Sequence, residues 1–259
     1  MGPEQIILLI FLGIAVGTVG SLIGAGGGFL LMPAFMLLYQ GEDPSTLTAI
    51  SLAVIFANSV SGSIAYAKMN RIVYRAGILF SLAALPGSIA GAMVINYLTV
   101  RFFDILFGSI MIILAFYMLV SVKKRIDPFQ ADAPTKPHFN AKTGMAISAF
   151  VGFFSSLLGI GGGVIHVPMM IYILKFPVHF ATATSLFTLS IMAFTGTIVN
   201  IYEGDLKGQW PLVLILSVGV IIGAQAGAFL SGKFKSLWII KTLAVALAIV
   251  GLKVLSQVF

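Results

Sequence analysis

The sequence has no cysteine and very little charge, with 8 acidic and 15 basic side chains among 259 residues, or 9%. Without cysteine there is no disulfide framework, no thiol chemistry and no thiolate metal site. Soluble domains carry about 25% charged residues. Here 59% of the chain is hydrophobic and the mean hydropathy is +1.08, which leaves too little polar surface to cover a water-soluble fold. The acids are also scattered, since all but Asp104 fall in loops, a central linker or the N-terminus. The three histidines show no metal-ligand spacing. A membrane-embedded enzyme would need an acid–base or metal centre that the sequence does not supply. The expectation is a non-enzyme without cofactor or metal, with the lipid bilayer as its solvent.

The formal charge of +7 does not point to nucleic acid, because the basic residues lie almost wholly in short loops, where they encode membrane topology. The start, Met1-Gly2-Pro3-Glu4, lacks the basic region of a cleaved signal peptide, so the apolar run behind it is expected to stay. Apolar stretches fall at 5–24, 29–39, 46–67, 75–98 and 101–122, then at 143–159, 164–174, 178–202, 210–231 and 236–258. Most reach the roughly 20 residues of a spanning helix. The stretches 29–39 and 164–174 are half as long, and each follows a glycine cluster. Between the two sets, Pro128, Pro134 and Pro137 stand among Lys123, Lys124, Arg125, Lys136 and Lys142, the composition of an exposed cytoplasmic connection. The expected organisation is a membrane repeat at 1–122, a basic linker at 123–142 and a second membrane repeat at 143–259.

The halves repeat each other. Gly17-Thr-Val-Gly-Ser-Leu-Ile-Gly-Ala-Gly-Gly-Gly28 aligns with Gly152-Phe-Phe-Ser-Ser-Leu-Leu-Gly-Ile-Gly-Gly-Gly163, and Pro33 aligns with Pro168 at the same offset of 135. Thr48-Ala-Ile-Ser51 matches Thr182-Ala-Thr-Ser185, Ser61-Gly-Ser63 matches Thr195-Gly-Thr197, and Gly87 and Gly91 match Gly223 and Gly227. Four blocks in one order mark a duplication. If the segment around each glycine cluster crosses the membrane, the halves are parallel; if it turns back as a re-entrant hairpin, they are inverted. Leaving aside Lys241 and Lys253 in the last apolar stretch, inversion puts 11 basic residues inside and 2 outside, against 9 and 4 for the parallel arrangement, and basic residues near span ends set orientation. Inversion is therefore expected. The fold class is an all-α polytopic membrane protein of two homologous halves, each a glycine-broken hairpin plus three spanning helices.

The clusters carry the chemistry. Their glycines leave backbone N–H groups bare, and each runs into a short apolar helix whose first donors have no intrahelical partner. Such an N-terminus is an anion site that needs no buried Lys or Arg. Candidate binding residues are Gly24, Gly26, Gly27 and Gly28 with Ser21, and Gly159, Gly161, Gly162 and Gly163 with Ser156. The hydroxyl pairs Thr48/Ser51 and Thr182/Ser185 lie at i, i+3 on one helix face, and Asn58, Gln225 and His166 are further candidates, His166 also as a proton relay. Intramembrane hydroxyls also bond their own helix carbonyls, and Gly87/Gly91 and Gly223/Gly227 suit close helix packing. Neither cluster precedes Lys-Ser/Thr, so a nucleotide P-loop does not fit.

The paired blocks Leu22-Ile-Gly-Ala-Gly-Gly-Gly28 with Pro33, and Leu157-Leu-Gly-Ile-Gly-Gly-Gly163 with Pro168, resemble the signature of the sulfite exporter TauE/SafE family. The likeness covers nearly the whole chain. It implies a permease for sulfite, organosulfonates or related anions, with the glycines of both clusters at the binding site. The expected function is therefore transport of a small anion by alternating access in a bacterial inner membrane, with a coupling ion such as H+ and a second copy of the chain as candidate partners. An anion channel using the same site is the alternative.

Overall fold

The computed structural model describes residues 2–39, 42–125, 137, 139–233 and 236–258; most of the expected linker lies outside them. In hydrocarbon every backbone polar group must be satisfied within the chain, and a helix does this locally. The described residues form ten α-helices and no strand: α1 (Pro3–Ile23), α2 (Gly28–Leu38), α3 (Pro44–Lys68), α4 (Tyr74–Val94), α5 (Val100–Arg125), α6 (Ala141–Leu158), α7 (Gly163–Tyr172), α8 (Val178–Glu203), α9 (Trp210–Ser231) and α10 (Ser236–Val258). Eight are long and apolar enough to cross a membrane; α2 and α7 are not. Each half thus has four helices of spanning length around one short helix, since α1 and α6 also reach the required length.

Local sequence explains the boundaries. Pro44 and Pro211 stand in the first turns of α3 and α9, where a missing N–H costs nothing. Asn140 caps α6 by accepting from the Thr143 amide at 3.3 Å. α1 and α6 both end where a glycine, Gly24 or Gly159, enters the left-handed region.

Contacts between the halves exchange partners. α1 packs on α9, and α6 on α4; α3 packs on α9, and α8 on α4; α3 packs on α8, and α5 on α10. The α1–α9 contact is backbone to backbone. A Cβ at Gly13 would lie 2.7 Å from the Leu216 carbonyl oxygen, and one at Gly223 would strike the Ile14 carbonyl. Gly87 and Gly91 do the same against Ala149 and Phe153. The expected packing role of these glycines holds.

The same contacts give directions. Gly13 meets Gly219 and Gly227 meets Thr18, so α1 and α9 run parallel. Gly87 meets Ala149 and Gly91 meets Phe153, so α4 and α6 run parallel. Gly62 meets Leu186 while Gly196 meets Leu52, so α3 and α8 run antiparallel. Ser61 bonds the Ile221 carbonyl and Arg71 reaches Ser231, so α3 runs with α9. Chain order then puts Lys68, Arg71, Arg75, Lys142, Lys175 and Lys233 at one end of the bundle, and Glu4, Glu42, Asp43, Asp104, Glu203 and Asp205 at the other.

Candidate functional site

Both glycine clusters break their helices with one backbone pattern. Gly24, Gly26 and Gly27 have φ of 80°, 74° and 85°; Gly159, Gly161 and Gly162, at the offset of 135, have 62°, 77° and 66°. Three left-handed residues in four positions are open to glycine and strained for side-chain-bearing residues. Gly27 and Gly162 are the N-caps of α2 and α7.

The two tips touch. A Cβ at Gly28 would lie 2.7 Å from the Ile160 carbonyl, and one at Gly163 would lie 2.6 Å from the Gly24 carbonyl oxygen and 2.7 Å from Ala25 Cα. Each tip also lies against the hydroxyl helix of the other half. Gly24 packs on Thr182, with 2.5 Å from a built Cβ to Thr182 Cα, and Gly159 packs on Thr48, with 2.9 Å to its Cα. Ser51 donates to the Gly159 carbonyl at 2.6 Å. All eight cluster glycines, together with Ser21, Thr48, Ser51, Asn58, Ser156, Thr182 and Ser185, are buried.

At the first tip, Ala25 and Gly26 donate to the Gly20 carbonyl at 2.8 and 3.1 Å, and Gly24 donates to that of Ser21 at 3.2 Å. The Asn58 amide donates to the Gly26 carbonyl at 3.0 Å, while its oxygen accepts from Ser21 at 3.3 Å. The α2 ladder starts with Leu30 and Leu31 donating to the Gly27 carbonyl, leaving the amides of Gly27, Gly28 and Phe29 as first-turn donors. At the second tip Gly163 donates to the Gly161 carbonyl at 2.8 Å, and Ile165 and His166 donate to that of Gly162. The amides of Gly162 and Val164 are its first-turn donors.

Beside the tips lie hydroxyls with no partner among the described residues. Thr48 Oγ1 and Ser155 Oγ are buried and make no hydrogen bond, and the same holds for Ser185 Oγ elsewhere on α8. Thr48 Oγ1 lies 3.1 Å from a Cβ built at Gly159, and Ser155 Oγ lies 2.9 Å from one at Gly162. An unmade buried hydrogen bond costs about 1–3 kcal/mol, so a cluster of them beside bare amides suits an oxygen-rich guest. Ser155 was not among the expected residues. It stands where the first half has Gly20, so the duplication does not reveal it.

Other expected residues are wired elsewhere. Ser156 bonds Ser88 at 2.6 Å, and Ser88 donates to the Met192 carbonyl at 3.1 Å. Thr182 donates to its own helix, to the His179 carbonyl at 3.0 Å. Gln225 is exposed and clamps α9 to α3, its amide nitrogen 2.7 Å from the Ser61 carbonyl and 2.9 Å from Ser61 Oγ. His166 is buried with Nε2 3.1 Å from Ser148 Oγ and its ring edge-on to Phe80. Ser148 gives its own proton to the Gly144 carbonyl at 2.7 Å, so His166 Nε2 is the donor in that pair. Among the described residues no cluster of three His, Cys, Asp or Glu could hold a metal.

Spanning helices that enclose two buried, broken helices define a multi-pass membrane protein. The chain belongs to the sulfite exporter TauE/SafE family, whose description, "Sulfite exporter TauE/SafE", matches residues 9–254. It is 32% identical to Probable membrane transporter protein YunE of Bacillus subtilis over 97% of both chains. It is 29% identical to a probable membrane transporter protein of Methanocaldococcus jannaschii over 95% of this chain and 93% of that one. It is 26% identical to another from Xylella fastidiosa, over 91% and 88%. No solved structure matches.

Proposed function

We propose that the chain carries a small anion, sulfite or an organosulfonate, across a bacterial inner membrane by alternating access about the paired glycine tips. The observation that carries this reading is the meeting of two tips, one from each half, with the unpartnered hydroxyls of Thr48 and Ser155 lying against the second tip. Peptide dipoles and hydroxyls hold a negative solute without a full counter-charge. Such a grip is weak enough to release its guest on the far side.

The halves act as inverted repeats. α3 and α8 occupy equivalent places and run antiparallel, which a two-fold axis in the membrane plane produces. With α1 parallel to α9, and α9 parallel to α3, the α1–α2 pair returns to the face it entered. The end bearing Lys68, Arg71, Arg75, Lys142, Lys175 and Lys233 faces the cytoplasm by the positive-inside rule. Burial of every tip residue suits a carrier between its open states, whereas a channel keeps a wet path.

The test is flux of sulfite, sulfate and small sulfonates in proteoliposomes, with and without a proton gradient. A carrier shows saturable uptake and counterflow exchange. Current at channel rates without counterflow would favour the channel, and no flux of any of these anions would sink the reading. Gly162→Leu, which places a side chain at φ 66° against Ser155, is expected to abolish uptake while the protein still inserts.

A further inference from the structure

The connections that follow α3 and α8 are copies of each other with opposite charge. Asn70, at φ 54°, corresponds to Gly204, at φ 90°, with an offset of 134. The next amides repeat the same bond: Arg71 N–H to the Tyr66 carbonyl at 3.2 Å, and Asp205 N–H to the Asn200 carbonyl at 3.0 Å. One backbone turn therefore presents Arg71 at one end of the bundle and Asp205 at the other.

Among the described residues Arg71 has no acidic neighbour to neutralise it. All six acids among the described residues lie at the opposite end. It reaches Ser231 Oγ at 3.5 Å from Nη1, a contact too long to hold a guanidinium firmly. Both of its terminal nitrogens lie close to Gly232, at 3.5 and 3.7 Å from a built Cβ. Inward from it a line of hydroxyls leads to the first tip: Tyr66 lies close to Arg71 and beside Thr182, its hydroxyl donates to the Ser21 carbonyl at 2.8 Å, and Thr182 packs on Gly24. At the other end the same position holds Asp205, flanked by Glu203 and Asp43.

We infer that Arg71 is the residue that first captures the anion on its way to the glycine tips, and that Asp205 makes the opposite mouth the weaker-binding one. This rests on the carrier reading and adds a sidedness that the paired tips alone do not have. A guanidinium fork can give two parallel N–H···O bonds to two oxygens of a pyramidal sulfite or a tetrahedral sulfonate, as it does to phosphate. A passive carrier cannot change the gradient finally reached, so Arg71 acts on the half-saturation concentration at its own face.

The experiment measures labelled sulfite uptake into inside-out and right-side-out vesicles, which present one face each. Arg71→Gln is expected to raise half-saturation about fivefold at the Arg71 face and leave the other face unchanged. Arg71→Lys should fall between, and Asp205→Asn should lower half-saturation about twofold at its own face. Ser231→Ala removes this long contact but not the charge and should leave both faces as they are. Equal effects of Arg71→Gln at both faces, or a Ser231→Ala that reproduces them, would overturn the inference. A readout independent of flux is phenylglyoxal modification followed residue by residue by mass spectrometry, at constant ionic strength. Sulfate or methanesulfonate should protect Arg71 and not Arg75 or Arg101, sulfite being unsuitable because it adds to the dicarbonyl. Loss of flux in the unaltered protein would count against the carrier, while absence of protection would count against Arg71.

Discussion

The two glycine tips have one backbone and two wirings. The first is tied down: two of its amides turn back to the Gly20 carbonyl, Asn58 braces the Gly26 carbonyl, and Tyr66 braces that of Ser21. At the position equivalent to Asn58 the second half has Met192, whose methyl lies 3.0 Å from a Cβ built at Gly162. The second tip keeps Ser51 on Gly159 but leaves Ser155 unpartnered beside Gly162. A duplicated fold preserves dihedral angles more strictly than hydrogen-bond partners, because only glycine enters the left-handed turns cheaply while several side chains can brace a carbonyl.

The largest expected effect comes from giving both tips a methyl. At Gly27 a Cβ falls 2.9 Å from the Val16 carbonyl oxygen, which is backbone, whereas at Gly162 it meets side-chain atoms, Ser155 Cβ at 2.8 Å and Oγ at 2.9 Å and the Met192 methyl at 3.0 Å. Both substitutions should therefore lose transport, and Gly27→Ala, which presses on backbone, should lose more folded yield than Gly162→Ala. Equal folded yields in detergent would break the comparison. Next, Asn58→Ala orphans the Gly26 carbonyl, and a loss of about 1–2 kcal/mol is expected, read as a lower Tm. A Tm shift no larger than that of Gln225→Ala, which loosens only the α9–α3 clamp, would deny the first tip its special bracing. Smaller in stability but clear in function is Ser155→Ala. It breaks no hydrogen bond, so Tm should hold or rise slightly while anion half-saturation increases several-fold, by the loss of one hydrogen bond to a charged guest.

The smallest effect lies in the paired connections. The Asp205 carboxyl is pushed above its ordinary range, first by burial, then by the negative charges of Glu203 and Asp43, with a hydrogen bond from Asn96 opposing them. Lys207, whose ammonium nitrogen lies 3.2 Å from a Cβ built at Gly204, is the nearby cation. An acid whose pKa is higher in the folded than in the unfolded state binds more protons when folded. Stability therefore falls as pH rises from the ordinary carboxylate value through the raised one, and is regained on acidification through the same window. Asp205→Asn should flatten a Tm–pH profile there. A profile unchanged by the substitution would show that Asp205 titrates like an exposed acid.

Much of this was legible in the sequence. The short stretches 29–39 and 164–174 became α2 and α7 almost residue for residue, because a glycine cluster on one side and a charged or polar loop on the other bound them. The packing glycines were legible through their spacing. Partners were not. Ser155 stays hidden because its equivalent is Gly20, and Gln225, which resembles a buried donor on a glycine-rich span, spends its amide on Ser61 at the bundle surface.

By itself the sequence determined the solvent, the duplication and the breaks: apolar runs of spanning length can only be lipid-facing or core helices, and triple glycines cannot continue a helix cheaply in hydrocarbon. Only the tertiary structure decided that each tip lies against the hydroxyl helix of the other half, that Thr48, Ser155 and Ser185 are left without partners, and that equivalent turns bear Arg71 and Asp205 at opposite ends. Periodicity and composition act along the chain, whereas which donor faces which acceptor depends on how α3 and α8 cross, a relation between segments more than a hundred residues apart.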